Sequence, residues 1–176
     1  MLQLALLYSV VLSATRRITR TDLTAVAHHA GLAVFGTALS TGNLILDTDL
    51  DEAALERRLE AATIAVLGKP IAVLVRSAPD LHALIAANPF PVQTSADPSR
   101  VAVRVMRDPL TQTSLDRIAA KRRPDQGFVA QPRALWLSLP EGPASSPLLT
   151  AASAPWAGPG AFRNASALTR IAAVMS

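Results

Sequence analysis

The stretch Leu39-Ser40-Thr41-Gly42-Asn43-Leu44-Ile45-Leu46 constrains this chain more than any other. A small polar turn separates two apolar runs, and the second run leads into an acidic segment, residues 47–51, and a strongly patterned helix. A tight hairpin needs residues that tolerate positive φ at its turn, and Gly42 with Asn43 supplies them. The hairpin strands are expected over residues 34–39 and 43–47.

The rest of the first half follows from its neighbours. Residues 2–11 are nearly all apolar and read as a central strand. Residues 15–20 form a polar, basic connection. A helix opening at Thr21-Asp22 shows Leu23, Val26, Ala27 and Ala30 on one face and stops at Gly31. Asp49, with Glu52 three residues on, makes a variant capping box for the next helix. Its buried stripe is Leu55, Leu59, Ala62 and Val66, with Glu52, Glu56, Arg57 and Glu60 outside it. Gly68-Lys69-Pro70 ends that helix, and residues 71–75 make another strand.

The order β-α-β-β-α-β is the split βαβ of ferredoxin-like domains, an antiparallel sheet with two helices on one face. A bridging helix from Ser77, facing inward with Leu81, Leu84 and Ile85, stops at Asn88-Pro89-Phe90-Pro91. Residues 91–99 read as a polar linker. The order then repeats: a strand at 101–106, a helix from Asp108-Pro109 with Leu115, Ile118 and Ala119, and a hairpin at 128–130 and 134–139 with Arg133 near its turn. A weak helix over 145–154, a short edge strand at Ala161-Phe162 and a final helix capped by Asn164 complete it; five prolines crowd residues 140–159. The expected fold class is α+β, two ferredoxin-like halves over residues 1–77 and 78–176.

Composition narrows the chemistry. Half of the 176 residues are apolar and only 4% aromatic, so the interior is aliphatic. With no cysteine, disulfides, zinc-thiolate sites and cysteine nucleophiles are excluded. The apolar run at residues 2–12 is too short to span a bilayer and lacks a basic leader, which favours a cytoplasmic protein. His28 and His29 are adjacent on a helix and point about 100° apart, so they cannot chelate one ion together. Asp47, Asp49 and Asp51 alternate, but without the glycine and glutamate of a calcium loop they read as helix-capping acids. No nucleophile elbow or phosphate loop is present, so neither a metal nor a cofactor is expected.

From Thr41-Gly42-Asn43 onward the chain resembles the bacterial family known as domain of unknown function 1697, over nearly its whole length. The matching pieces are that turn, the acidic-capped helix of residues 51–62, Val73-Leu74-Val75-Arg76-Ser77, Asn88-Pro89-Phe90, Leu135-Trp136-Leu137 with Leu139-Pro140, and Arg163-Asn164. The resemblance implies two joined ferredoxin-like halves and no activity that carries over. The chain departs from the family where members tend to carry Arg-Gly-Ile-Asn-Val-Gly-Gly after the first strand; here Tyr8-Ser9-Val10-Val11-Leu12-Ser13-Ala14 stands. It has Ser146-Pro147 in place of Ser-Lys, and Arg163-Asn164-Ala165-Ser166-Ala167 in place of Arg-Asn-Trp-Asn-Thr.

These readings favour a non-catalytic binding or interaction module, whose partner would be a second copy or another protein. One alternative is weak anion or nucleic-acid binding by two basic clusters, Arg16, Arg17 and Arg20, and Lys121, Arg122 and Arg123. The strands that would stack bases offer only Tyr8, which argues against sequence readout. The other alternative is an enzyme or anion binder with a cleft between the halves near Thr41, Gly42, Asn43, Arg163 and Asn164.

Overall fold

The computed structural model describes residues 1–8, 11–36 and 42–176. Two four-stranded antiparallel sheets, each with helices, make a mixed α+β fold of two ferredoxin-like halves. The chain divides into two compact units, Met1–Ala83 with Arg170–Ser176, and Leu84–Thr169.

The first unit contains β1 (Leu2–Leu7), α1 (Arg20–His29), β2 (Val34–Gly36), β3 (Asn43–Asp47), α2 (Glu52–Leu67) and β4 (Val73–Ser77), with sheet order β2-β3-β1-β4. β1 stops at Leu7, short of the expected residue 11, because its partners run out: β3 begins opposite Leu6 and β4 opposite Leu7. Residues 9–10 of that expected strand and residues 37–41 of the hairpin lie outside the described residues. Gly42 has φ +75°, as the turn requires, and its carbonyl accepts from Leu7 N–H. Asn43 is already strand, paired with Leu6.

α1 begins at Arg20, one residue earlier than expected, because Thr19 caps it. The Thr19 hydroxyl accepts from Asp22 N–H while the Asp22 carboxylate accepts from Thr19 N–H, a complete capping box. Leu23, Val26 and Ala27 face the core, and Gly31 at φ +65° ends the helix region. For α2 the cap is Asp51, whose carboxylate accepts from Ala54 N–H at 2.7 Å, and not Asp49. Asp49 stands two residues too far away and pairs instead with the terminal amine, alongside Asp47. Leu55, Leu59 and Ala62 pack with Ala5, Leu7, Leu44, Leu46, Val73 and Val75 in one cluster.

The polar side of α2 departs from expectation. Glu52, Glu56 and Glu60, read as lying outside the buried stripe, accept hydrogen bonds from Ser77, Val75 and Val73 N–H at 3.2, 3.0 and 3.0 Å. β4 is an edge strand, and these are its outward-facing amides. Four residues of helix rise about 6.0 Å and two of strand about 6.6 Å, so the two spacings nearly coincide. Glu56 is correspondingly 5% exposed.

The second unit repeats the plan. It begins within α3 (Ala78–Ala86), continues through α4 (Pro91–Ala96), β5 (Val101–Met106), α5 (Gln112–Ala119), β6 (Gly127–Gln131), β7 (Ala134–Ser138), α6 (Pro147–Ala152) and β8 (Gly160–Asn164), and ends within α7 (Ala165–Val174). Its sheet order, β6-β7-β5-β8, reproduces that of the first. The expected linker at 91–99 is helical: Pro91 occupies the first helical position and Thr94 N–H bonds Phe90 O, followed by a 3-10 turn at Pro98–Arg100. α5 starts after Thr111, which caps it through Ser114 N–H, and not at Asp108-Pro109. Leu135, Leu137, Leu139, Ile118, Leu148 and Ala152 form the core beneath its helices.

Replacing Glu56 by Ala leaves the buried Val75 amide without its carboxylate and should cost about 1–3 kcal/mol of unfolding free energy in urea melts. Asp22 makes a pH prediction. The Thr19 amide first, with the Thr19 hydroxyl and the Arg16 guanidinium, holds its carboxyl below the ordinary carboxylate range. Its contribution is therefore complete above the unfolded value of about 3.9. It is lost as pH falls through the lower folded value, where the unfolded state no longer binds more protons than the native one. Thermal melts from pH 6 downward (roughly to pH 2) should show a shallower acid limb for Asp22→Asn than for the parent.

Candidate functional site

The two halves differ most where their second helices stand. In the first, α2 runs for 16 residues; its counterpart α6 has 6. Pro143, Pro147 and Pro155 each open a short helical turn, and Gly142 and Gly158, at φ +86° and +71°, bracket the three. The shortened element leaves a cleft of about 930 Å³ beside the end of α5.

One wall comes from α5 and the residues just after it. Ile118 points into the core, which turns Arg117 and Lys121, four residues apart, to one shared face with Ala120. The other wall is the segment 144–156, which contributes Ser145, Ser146, Thr150 and Trp156 among alanines and Pro147. The Arg117 guanidinium lies over the Trp156 ring, 5.4 Å from its centroid. Among the described residues no acid lines the cleft.

Hydrogen bonds, one of them fully buried, hold the second wall. Ser146 Oγ accepts from Leu149 N–H and from Gln126 Nε2, both at 3.2 Å, and Thr150 Oγ1 donates to Ser146 O at 3.1 Å. Gln126 also donates to Glu141 Oε1, and its Oε1 accepts from Arg123 N–H at 2.9 Å. Arg123 stands 3.8 Å from Glu141. Beneath the Trp156 turn, the buried Arg104 of central strand β5 donates to the carbonyls of Ala157, at 3.1 Å, and Gly158. Gly160 on neighbouring β8 is what admits that guanidinium: a Cβ there would lie 2.5 Å from it.

The residues singled out from sequence fall as follows. Thr41 lies outside the described residues. Gly42 and Asn43 belong to the first unit, and Asn43 is 2% exposed. Arg163 and Asn164 end β8 in the second unit. The Arg163 guanidinium donates to Phe162 O at 2.6 Å, and burial lowers its pKa to about 10, so it stays charged at neutral pH. Asn164 Oδ1 accepts from Ala167 N–H at 2.7 Å and caps α7. Arg16 pairs with Asp22 at 2.9 Å, Arg17 bridges to Val11, and Arg20 is the first residue of α1. Lys121, Arg122 and Arg123 follow α5; Lys121 faces the cleft and Arg123 faces Glu141. Arg117, Ser146 and Trp156 were not picked out as site residues from sequence. The spacing of Arg117 and Lys121 was the available signal, because residues four apart share a helix face.

A family model described as "Protein of unknown function (DUF1697)" matches residues 1–136. The chain belongs to that family. The matched span includes the α5 wall of the cleft and ends before the segment 144–156 that forms the other. The fold recurs in the conserved bacterial protein SP0830 from Streptococcus pneumoniae, which superposes with a TM-score of 0.76 over 99% of both chains, at 16% identity. No curated protein matches. Among the described residues no helix is long and apolar enough to cross a membrane, and no group of three or more His, Asp or Glu is placed to hold a metal.

As a cap, Asn164 should behave differently toward different replacements. Asn164→Ala should lower stability by about 1 kcal/mol, and Asn164→Asp by much less, in denaturant titrations.

Proposed function

We propose that this protein is a non-catalytic binding module that takes a small anionic molecule in the cleft of its second half. The observation that carries this is the pairing of Arg117 and Lys121 on one wall of a 930 Å³ cleft whose described lining holds no acid. Arg117 is oriented by Trp156 and not by a carboxylate, so its N–H groups remain available for an oxyanion. A cleft of this size suits a ligand larger than a simple ion, with apolar alanine and proline walls to cover its body. The described lining also lacks a histidine or carboxylate that could act as general base beside Ser145 or Ser146. The setting in keeping with a bacterial structural relative and a cysteine-free chain is the bacterial cytoplasm.

Nucleic-acid binding through the arginine clusters is the weaker reading, because Arg16 and Arg123 already face Asp22 and Glu141. Calorimetric titration with phenyl phosphate tests the stronger one. Binding should weaken as salt rises, and the double variant R117A/K121A should lose at least about tenfold in affinity, roughly 1.4 kcal/mol. Equal binding by the double variant would remove the cleft from consideration.

A further inference from the structure

We infer that Ser146 sets what the cleft accepts: its hydroxyl is a committed hydrogen-bond donor, matched to the oxyanion of a flat, apolar-bodied acid such as an aromatic phosphate or carboxylate. This rests on the binding reading above and goes further by naming the ligand class and the residue that selects it.

A serine hydroxyl has one proton and two lone pairs. In Ser146 both lone pairs are engaged, by Leu149 N–H and by Gln126 Nε2. The orientation of the Gln126 amide is not free. Its oxygen accepts from Arg123 N–H, and its nitrogen also meets the Glu141 carboxylate, which can only accept. Gln126 therefore presents N–H to Ser146 and cannot take the hydroxyl proton. Leu149 offers another N–H and cannot take it either. No described residue accepts from Ser146 Oγ. Ser146 is nonetheless 2% exposed, and a buried donor without an acceptor is costly. The residue lines the cleft, and the acceptor that its proton lacks in the protein is one a ligand there can bring.

The same cleft places Arg117 and Lys121 on the facing wall, so the acceptor is an anion, which a charge-assisted bond suits best. Apart from Ser145 and Thr150, the rest of the surface is alanine, Pro147 and the Trp156–Arg117 stack, which suits a flat apolar body. Gln126, with Glu141 and Arg123 behind it, acts as a positioning residue that holds the donor in its direction.

The experiment titrates phenyl phosphate into the intact chain and its Ser146 variants by calorimetry, with inorganic phosphate and benzyl alcohol as controls. Asn, Asp and Gly all serve as N-caps, so α6 keeps its start in each variant, which thermal melts confirm. The parent should bind phenyl phosphate at least about tenfold more tightly than either control, since each control lacks one of the two features recognised. Ser146→Asn retains a donor and should stay within about threefold of the parent; Ser146→Gly should lose about tenfold, and Ser146→Asp, which sets a carboxylate against the anion, more than thirtyfold. If Ser146→Gly and Ser146→Asp bind like the parent while R117A/K121A does not, the role of Ser146 is overturned and the binding module stands. If the parent binds inorganic phosphate as well as phenyl phosphate, the flat-bodied ligand class is overturned. If neither phosphate binds the parent, the binding reading falls as well.

Discussion

Three carboxylates on one helix close the first sheet of this protein. An edge strand exposes every second amide, and unless those amides are covered they pair with whatever strand comes near. Here Glu52, Glu56 and Glu60 take them in turn from β4, so α2 serves both as the apolar lid of the core and as a polar seam along the sheet margin. The match between helix rise and strand rise makes the arrangement repeatable across all three glutamates, a span of about two turns, and it ties the placing of α2 to that of β4. Much else in the first half follows. Leu55, Leu59 and Ala62 are brought over β1 and β3 because the neighbouring glutamates are pinned to β4.

The second half shows what the same topology does when that helix is cut short. Its sheet has the same order, and its central strand pairs with β7 and β8 as β1 does with β3 and β4. The shortened α6, however, cannot lie along its sheet as α2 does. Proline-headed turns and positive-φ glycines fill the chain length instead, and an open cleft remains beside α5. The site thus arises from a departure within an internal repetition, in which the fold is kept and one element is traded for a cavity.

How much of this the sequence disclosed depends on whether the governing contact is local. Gly31, Gly42 and Gly68 were legible because a positive φ is a property of one residue, and all three have it. The strand order was legible because apolar runs and their spacing report topology. The glutamates of α2 were not, because a charged residue off the apolar stripe looks the same whether it meets water or a strand edge. Asp51 in place of Asp49 as the cap of α2, and the start of α1 one residue early behind Thr19, were decided by small shifts that only the side-chain bonds resolve. The linker at 91–99 failed for a related reason, since Pro91 at a helix start and proline in a loop are the same letter. The cleft was least legible, since Trp156 lies nearly forty residues beyond Arg117 and the meeting is purely tertiary.

Arg104 carries one more consequence. Its guanidinium occupies the space over Gly160 and from there grips the turn that presents Trp156. A side chain at 160 would force the Arg104 guanidinium to shift, and with it the two carbonyl contacts that hold the Trp156 turn. A smaller, uncharged residue at 104 would leave room for a side chain at 160 and would release the turn that carries the aromatic wall of the cleft. The placing of the cleft's aromatic wall thus depends on a glycine that does not itself line the cleft.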